Sequence, residues 1–116
     1  MMMDGVYFMN LQRELMEEEI RQKLYRERKQ FALMRFTYLL ERQALLCQSL
    51  IQTGEMLPAL ERTEERAREM LNQEITEYRK RHRSLTGNPL EEAKLIERAR
   101  EISLERVIKE TVEVLM

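Results

Sequence analysis

Between Gly5 and Gly54 the chain carries neither glycine nor proline. This breaker-free stretch constrains the fold more than any other feature. In a helix interior glycine costs about 1 kcal/mol and proline about 3 kcal/mol relative to alanine, so a run without either lets a helix propagate. Asn10 is a candidate N-cap, with Arg13 and Glu14 in the first turn. The expectation is a short N-terminal segment over 1–9 and one long helix over 10–53. At 1.5 Å per residue that helix would be about 65 Å long. A compact domain of 116 residues is much narrower, so the expected shape is elongated.

The long helix divides in character near Gln30. Over 10–30 it is a charged arm, in which Leu11, Leu15, Met16, Ile20 and Leu24 form a thin apolar series among pairs such as Glu17–Arg21 and Glu19–Lys23. Over 31–53 it is apolar on two faces. One stripe reads Phe31, Met34, Tyr38, Leu45, and the other Leu33, Phe36, Leu40, Ala44, Cys47, Ile51. A helix apolar on two faces needs more than one neighbour. The charged arm has too few apolar groups to be stable alone. Leu11, Leu15, Ile20 and Leu24 on the arm are therefore candidate partner contacts, as are Phe36, Leu40 and Ile51 on the second apolar face.

Two breaks follow. In Thr53-Gly54-Glu55-Met56-Leu57-Pro58, Gly54 suits the residue after a helix end and Pro58 the first position of the next helix. The second helix is expected over 58–83, with Leu57, Leu60, Ala67, Leu71 and Tyr78 on one stripe and Glu64 and Glu74 interrupting it. That polar-heavy seam has coiled-coil character. The second break ends in Asn88-Pro89-Leu90-Glu91, a cap, a proline at the first helical position and an acidic third position. The third helix is expected over 89–115, with Val107, Val112 and Val114 disfavouring its end. Short breaks make consecutive helices antiparallel neighbours. The fold class is thus all-α: an elongated three-helix arrangement of one long N-terminal helix and two shorter antiparallel ones, coiled-coil-like. Aromatic residues make up 6% of the chain and tryptophan is absent, which favours narrow helix–helix seams over a broad core.

Catalysis has little to draw on. His82 and Cys47 are each the only residue of their kind, no Glu-x-x-His pair supplies a di-iron site, and no glycine-rich phosphate loop occurs. The expectation is a non-enzyme without cofactor or metal. A lone cysteine with apolar neighbours is a buried, reduced thiol, which points to a reducing intracellular compartment, the cytoplasm or cytoskeleton. The first nine residues lack the basic and apolar regions of a signal peptide, and no stretch reaches the roughly 20 apolar residues of a membrane span. The net charge of −1 argues against nucleic acid as the main partner. The basic run Arg79, Lys80, Arg81, Arg83 complements a helix C-terminus, and it is also a candidate contact for an acidic surface.

Residues 65–87 carry Arg66, Arg68, Met70-Leu71, Glu74, Tyr78, Leu85 and Gly87. That series resembles the pattern of small coiled-coil proteins of the ciliary axoneme. The basic run departs from it, since an acidic stretch is expected there. The resemblance implies a microtubule-associated component of the cilium, with tubulin as partner. Function is accordingly read as a structural or scaffolding helical subunit of a multi-protein complex. The alternatives are a homodimeric coiled-coil adaptor and a binder of acidic surfaces or nucleic acid through the basic run.

Overall fold

A computed structural model describes residues 2–82 and 88–114, the first of these up to residue 10 by backbone alone. The chain is all-helical, and no strand occurs among the described residues. The elements are α1 (Met2–Arg26), α2 (Gln30–Arg42), α3 (Ala44–Thr53), α4 (Met56–Arg81), α5 (Pro89–Val107) and a π-helical turn over Ile108–Val112. Two compact units are distinguished, Met1–Glu61 and Arg62–Met116, and the division falls inside α4. Where three helices are expected, the described residues form five.

The expected single helix over 10–53 is α1, α2 and α3. It starts earlier than expected, at Met2, so Asn10 lies within α1 rather than capping it, and residues 2–9 of the expected separate segment belong to the same helix. The first interruption has a defined geometry. Arg28 N–H donates to the Tyr25 carbonyl at 3.1 Å and Lys29 N–H to the Leu24 carbonyl at 2.9 Å, while Arg28 adopts φ +56. That is a Schellman ending with arginine where glycine is usual. The α3 ending repeats it: Gly54 N–H reaches the Ile51 carbonyl, Glu55 N–H reaches the Leu50 carbonyl, and Gly54 has φ +75. The second interruption is Gln43, whose φ −137, ψ 58 turns the chain between α2 and α3. Its side-chain Oε1 is enclosed without a hydrogen-bond partner among the described residues.

These two endings give a matched pair of predictions. Nothing lies within 4 Å of a Cβ built on Gly54, so Gly54→Ala meets no clash and its cost is the left-handed backbone alone, about 1 kcal/mol. Arg28→Gly relieves the same strain and should stabilise the fold by about 0.5–1 kcal/mol, the relief being partly offset by the freer unfolded chain. Urea melts followed by circular dichroism check both. Opposite shifts of the midpoint are expected, the one for Arg28→Gly the smaller, and a destabilised Arg28→Gly would contradict the assignment of strain.

In the first unit, Ile20 and Leu24 of α1, Ala32, Phe36 and Leu39 of α2, Cys47 and Ile51 of α3, and Met56 and Leu60 of α4 form one buried cluster, with Leu33, Leu40, Leu46, Leu50 and Leu57 partly buried against it. The turn over 27–29 returns α2 against α1. α1 has 25 residues and α2 only 13, about 37 Å against about 20 Å, so the beginning of α1 reaches past the segment that α2 covers. Lys29 fastens the turn, its Nζ lying 2.8 Å from a Glu27 carboxylate oxygen and 3.3 Å from one of Glu61. The bonds to these carboxylates raise the Lys29 pKa, and the bond to Lys29 lowers that of Glu27.

In the second unit, α4 buries Glu64, Ala67 and Leu71, and α5 with its π turn buries Ala99, Ser103, Val107, Thr111 and Val112. Glu64 is only 5% exposed, and Arg68 one turn later donates Nε–H to its carboxylate at 2.6 Å, which meets the need of a buried charge for a partner. Arg79 pairs with Glu92, and Arg106 reaches Glu74 and Glu110 at 3.1 Å each. Pro58 sits two residues deeper than expected because α4 begins at Met56; it remains in the first turn, where no backbone N–H is required. Asn88 caps α5 through its side-chain oxygen, which accepts from Glu91 N–H at 2.8 Å, with Pro89 at the first helical position, as expected. The expected frayed end is a π turn: Glu113 N–H donates to the Ile108 carbonyl, and the Thr111 hydroxyl donates to the Val107 carbonyl at 2.6 Å. Residue 115 lies outside the described residues.

Candidate functional site

The proposed partner contacts separate into two groups. Ile20, Leu24, Phe36 and Ile51 belong to the chain's own core, and Phe36 is fully buried. They are not partner surface, because the interruption at 27–29 lets α2 cover the half of α1 that a straight helix would have left bare. Leu40 is half-buried against the same core. Leu11 and Leu15 are exposed, Leu15 at 57%, and Met16 is exposed beside them.

Helical geometry explains this division. At 3.6 residues per turn, Leu11, Leu15, Glu18, Gln22 and Tyr25 fall on the face of α1 opposite Ile20 and Leu24. Three apolar or aromatic side chains thus share one outward stripe with two polar ones, and Gln22 donates to the Glu18 carboxylate along it. Where this stripe reaches the turn into α2, the surface is concave. A groove of about 560 Å³ is lined by Leu24, Tyr25, Arg26, Arg28, Lys29, Gln30 and Leu33. An adjoining hollow of about 420 Å³ adds Glu18, Arg21 and Gln22. Both share Tyr25, Arg26 and Leu33, and the Tyr25 ring is 77% exposed between them. The walls carry Arg21, Arg26, Arg28 and Lys29 against the single carboxylate of Glu18. Arg21 approaches Glu18 at 3.8 Å and its guanidinium lies 5.9 Å from the centre of the Phe36 ring. The expected Glu17–Arg21 pairing is thus replaced by one with Glu18.

No family model, curated protein or solved structure matches this chain.

Three residues of the basic run, Arg79, Lys80 and Arg81, lie exposed at the end of α4. Arg79 is paired with Glu92, Lys80 and Arg81 are exposed, and Arg83 lies outside the described residues. The His82 ring stacks on Tyr78 with centroids 4.1 Å apart, and its Nδ1 lies 2.9 Å from the Tyr78 carbonyl, so the aromatic ring nearest the run already has a neighbour. Other apolar side chains are exposed at Leu45, Leu90 and Ile102. No group of three or more metal-ligating side chains occurs among the described residues, and no described helix is long and apolar enough to cross a membrane.

Cys47 is buried as expected. Desolvation, and then the charge of Glu17, push its thiol up to about 11, opposed by Arg21. At pH 8 it should alkylate at least about a hundredfold more slowly than an exposed cysteine, since the thiolate is the reactive form. Mass spectrometry after iodoacetamide treatment checks this; rapid labelling of the native chain would place Cys47 at the surface.

Sequence reasoning missed the groove. Its walls depend on the turn at Arg28, and the only signal was the polar run Arg26-Glu27-Arg28-Lys29-Gln30 separating Leu24 from Phe31.

Proposed function

We propose that this chain is a non-catalytic helical subunit that docks onto larger protein partners through the outward face of α1. The exposure of Leu11 and Leu15 together, on the face turned away from the chain's own core, carries this reading. Burying an aliphatic side chain of this size contributes about 1.5–3 kcal/mol, and apolar side chains gathered on one exposed face, here with Met16 beside them, are what an interaction surface is built from. The place of Leu11 and Leu15 on the face of α1 opposite Ile20 and Leu24 keeps them available. The resemblance of residues 65–87 to small axonemal proteins supports a microtubule-associated setting in the cilium, with tubulin as one partner.

Light scattering combined with co-sedimentation on polymerised tubulin tests the reading. A monomer that pellets with the polymer, and fails to do so as the double variant Leu11→Glu, Leu15→Glu, is the expected result. Both positions are exposed, so the variant should keep its helicity and melting temperature. A stable dimer that stays in the supernatant and dissociates on the same substitutions would favour the homodimeric coiled-coil adaptor instead.

A further inference from the structure

We infer that the turn between α1 and α2 is an exchange hinge: it opens into a continuous helix, and α1 of each copy then packs into the first unit of a second copy of this chain, giving a reciprocal dimer. The inference is independent of the docking reading and stands if that reading fails.

Three observations carry it. The first is the make-up of the turn. Arg26-Glu27-Arg28-Lys29-Gln30 contains no glycine, proline or capping residue, and all five are good helix formers. Arg28 is nevertheless held at φ +56, the one residue other than glycine with positive φ among the described residues. The α3 ending makes the same turn with Gly54. Short hinges under strain invite exchange between copies, because opening relieves the strain. In a continuous helix Arg28 returns to the right-handed region, and Lys29 N–H bonds to the Tyr25 carbonyl in place of the Leu24 carbonyl.

The second observation is phase. At 3.6 residues per turn, Ile20, Leu24 and Phe31 fall within about 40° of one another on a continuous helix. All three are buried. A straightened α1–α2 therefore carries its core-facing residues on one side. Two such helices laid antiparallel, hinge against hinge, bring α1 of each copy against α2 of the other, in the sense in which the turn now returns α2 against α1.

The third observation is how lightly α1 is held. Among the described residues only Ile20 and Leu24 of α1 enter the buried cluster. Lys29 fastens the turn through ion pairs to the exposed carboxylates of Glu27 and Glu61, a weak class of contact. The exchanged dimer remakes the Ile20 and Leu24 contacts with the second copy. The two forms thus differ chiefly at the turn and in the entropy of association.

Refolding from urea followed by chromatography with light scattering tests this. Wild type refolded at about 10 µM should be monomeric and at about 1 mM should yield a dimer, as mass action requires. Gln30→Pro probes the hinge. Residue 30 is the first of α2, where proline suits the closed turn, whereas in a continuous helix it lies in the interior and removes a hydrogen bond. This variant should melt no lower than wild type and form at least about a hundredfold less dimer. Arg28→Gly relieves the strain of the closed turn and weakens the continuous helix, so its dimer should fall at least about tenfold. Arg28→Ala removes the same guanidinium but keeps the strain, and should dimerise at least as readily as wild type. Ala44→Pro, at the first position of α3, blocks straightening at Gln43 instead and should leave the dimer unchanged, as should Leu11→Glu, Leu15→Glu.

A wild type that stays monomeric at the higher concentration overturns the inference, and so does undiminished dimer in Gln30→Pro or Arg28→Gly. Should Gln30→Pro fail to fold, the contrast between Arg28→Gly and Arg28→Ala decides alone. Equal loss with Arg28→Ala would trace the dimer to the guanidinium. Loss with Ala44→Pro would move the hinge to Gln43, and loss with Leu11→Glu, Leu15→Glu would mean association through the outward face of α1. Each of these results overturns the exchange at Arg28.

Discussion

Phe36→Ala is expected to destabilise the first unit by about 3–5 kcal/mol, the usual range for truncating a buried aromatic ring. Phe36 has no solvent exposure and belongs to the cluster that unites Ile20, Leu24, Cys47, Ile51, Met56 and Leu60. Four helices contribute to that cluster, so no single element can shift to fill the space. The ring also lies under the Arg21 guanidinium, which would lose its neighbour. A loss of this size is a large part of the total stability of a chain of this length. Urea denaturation measures the loss, and Cys47 gives a local readout, because it is shielded by the same cluster and its alkylation should accelerate with each opening of the unit. Met34→Ala, at an exposed position of the same helix, is the control and should stay within about 0.5 kcal/mol of wild type. A Phe36→Ala chain as stable as that control would mean that α2 does not hold the unit together.

How much of this was legible in the sequence depends on what ended each helix. Gly54 and Asn88-Pro89 interrupt the chain by their own conformational preferences, and both breaks fall where those residues placed them. Arg28 and Gln43 are ordinary helix formers. The chain turns at them because folding back buries Ile20 and Leu24 against the apolar face of α2, a tertiary gain that outweighs local propensity. Leu24 and Phe31 are also seven residues apart, a spacing that keeps phase with a continuous helix and conceals the turn. The visible trace was compositional: Arg26–Gln30 and Glu41-Arg42-Gln43 are the polar runs in an otherwise apolar region, and both interruptions fall in them. The same misreading explains the partner contacts. Leu11 and Leu15 remained exposed because they lie on the face of α1 opposite Ile20 and Leu24, which the fold buries. On α4 the seam of Leu60, Glu64, Ala67 and Leu71 could be read directly, including the acidic position, since one helix without interruption preserves its periodicity.

Ala99→Leu should be the most damaging conservative change in the second unit, at about 1–3 kcal/mol. Ala99, Ser103, Val107 and Thr111 recur every fourth residue along α5 and its π turn, and all four are buried. Only small or β-branched side chains occupy this line, so whatever covers it approaches the helix backbone closely. The ion pairs Arg79–Glu92 and Arg106–Glu74 join α4 and α5 on either side of Ala99 in the α5 sequence. Leucine has nearly the helix propensity of alanine, so a loss of stability would report packing and not the helix itself. Ile102→Leu, at an exposed position on the same helix, supplies the comparison and should change little. Hydrogen exchange resolved by peptide would locate the effect, with faster exchange over 99–112 and unchanged protection over 31–42. If Ala99→Leu proved neutral, open space would have to lie above α5, and the small side chains along this line would no longer indicate close helix approach.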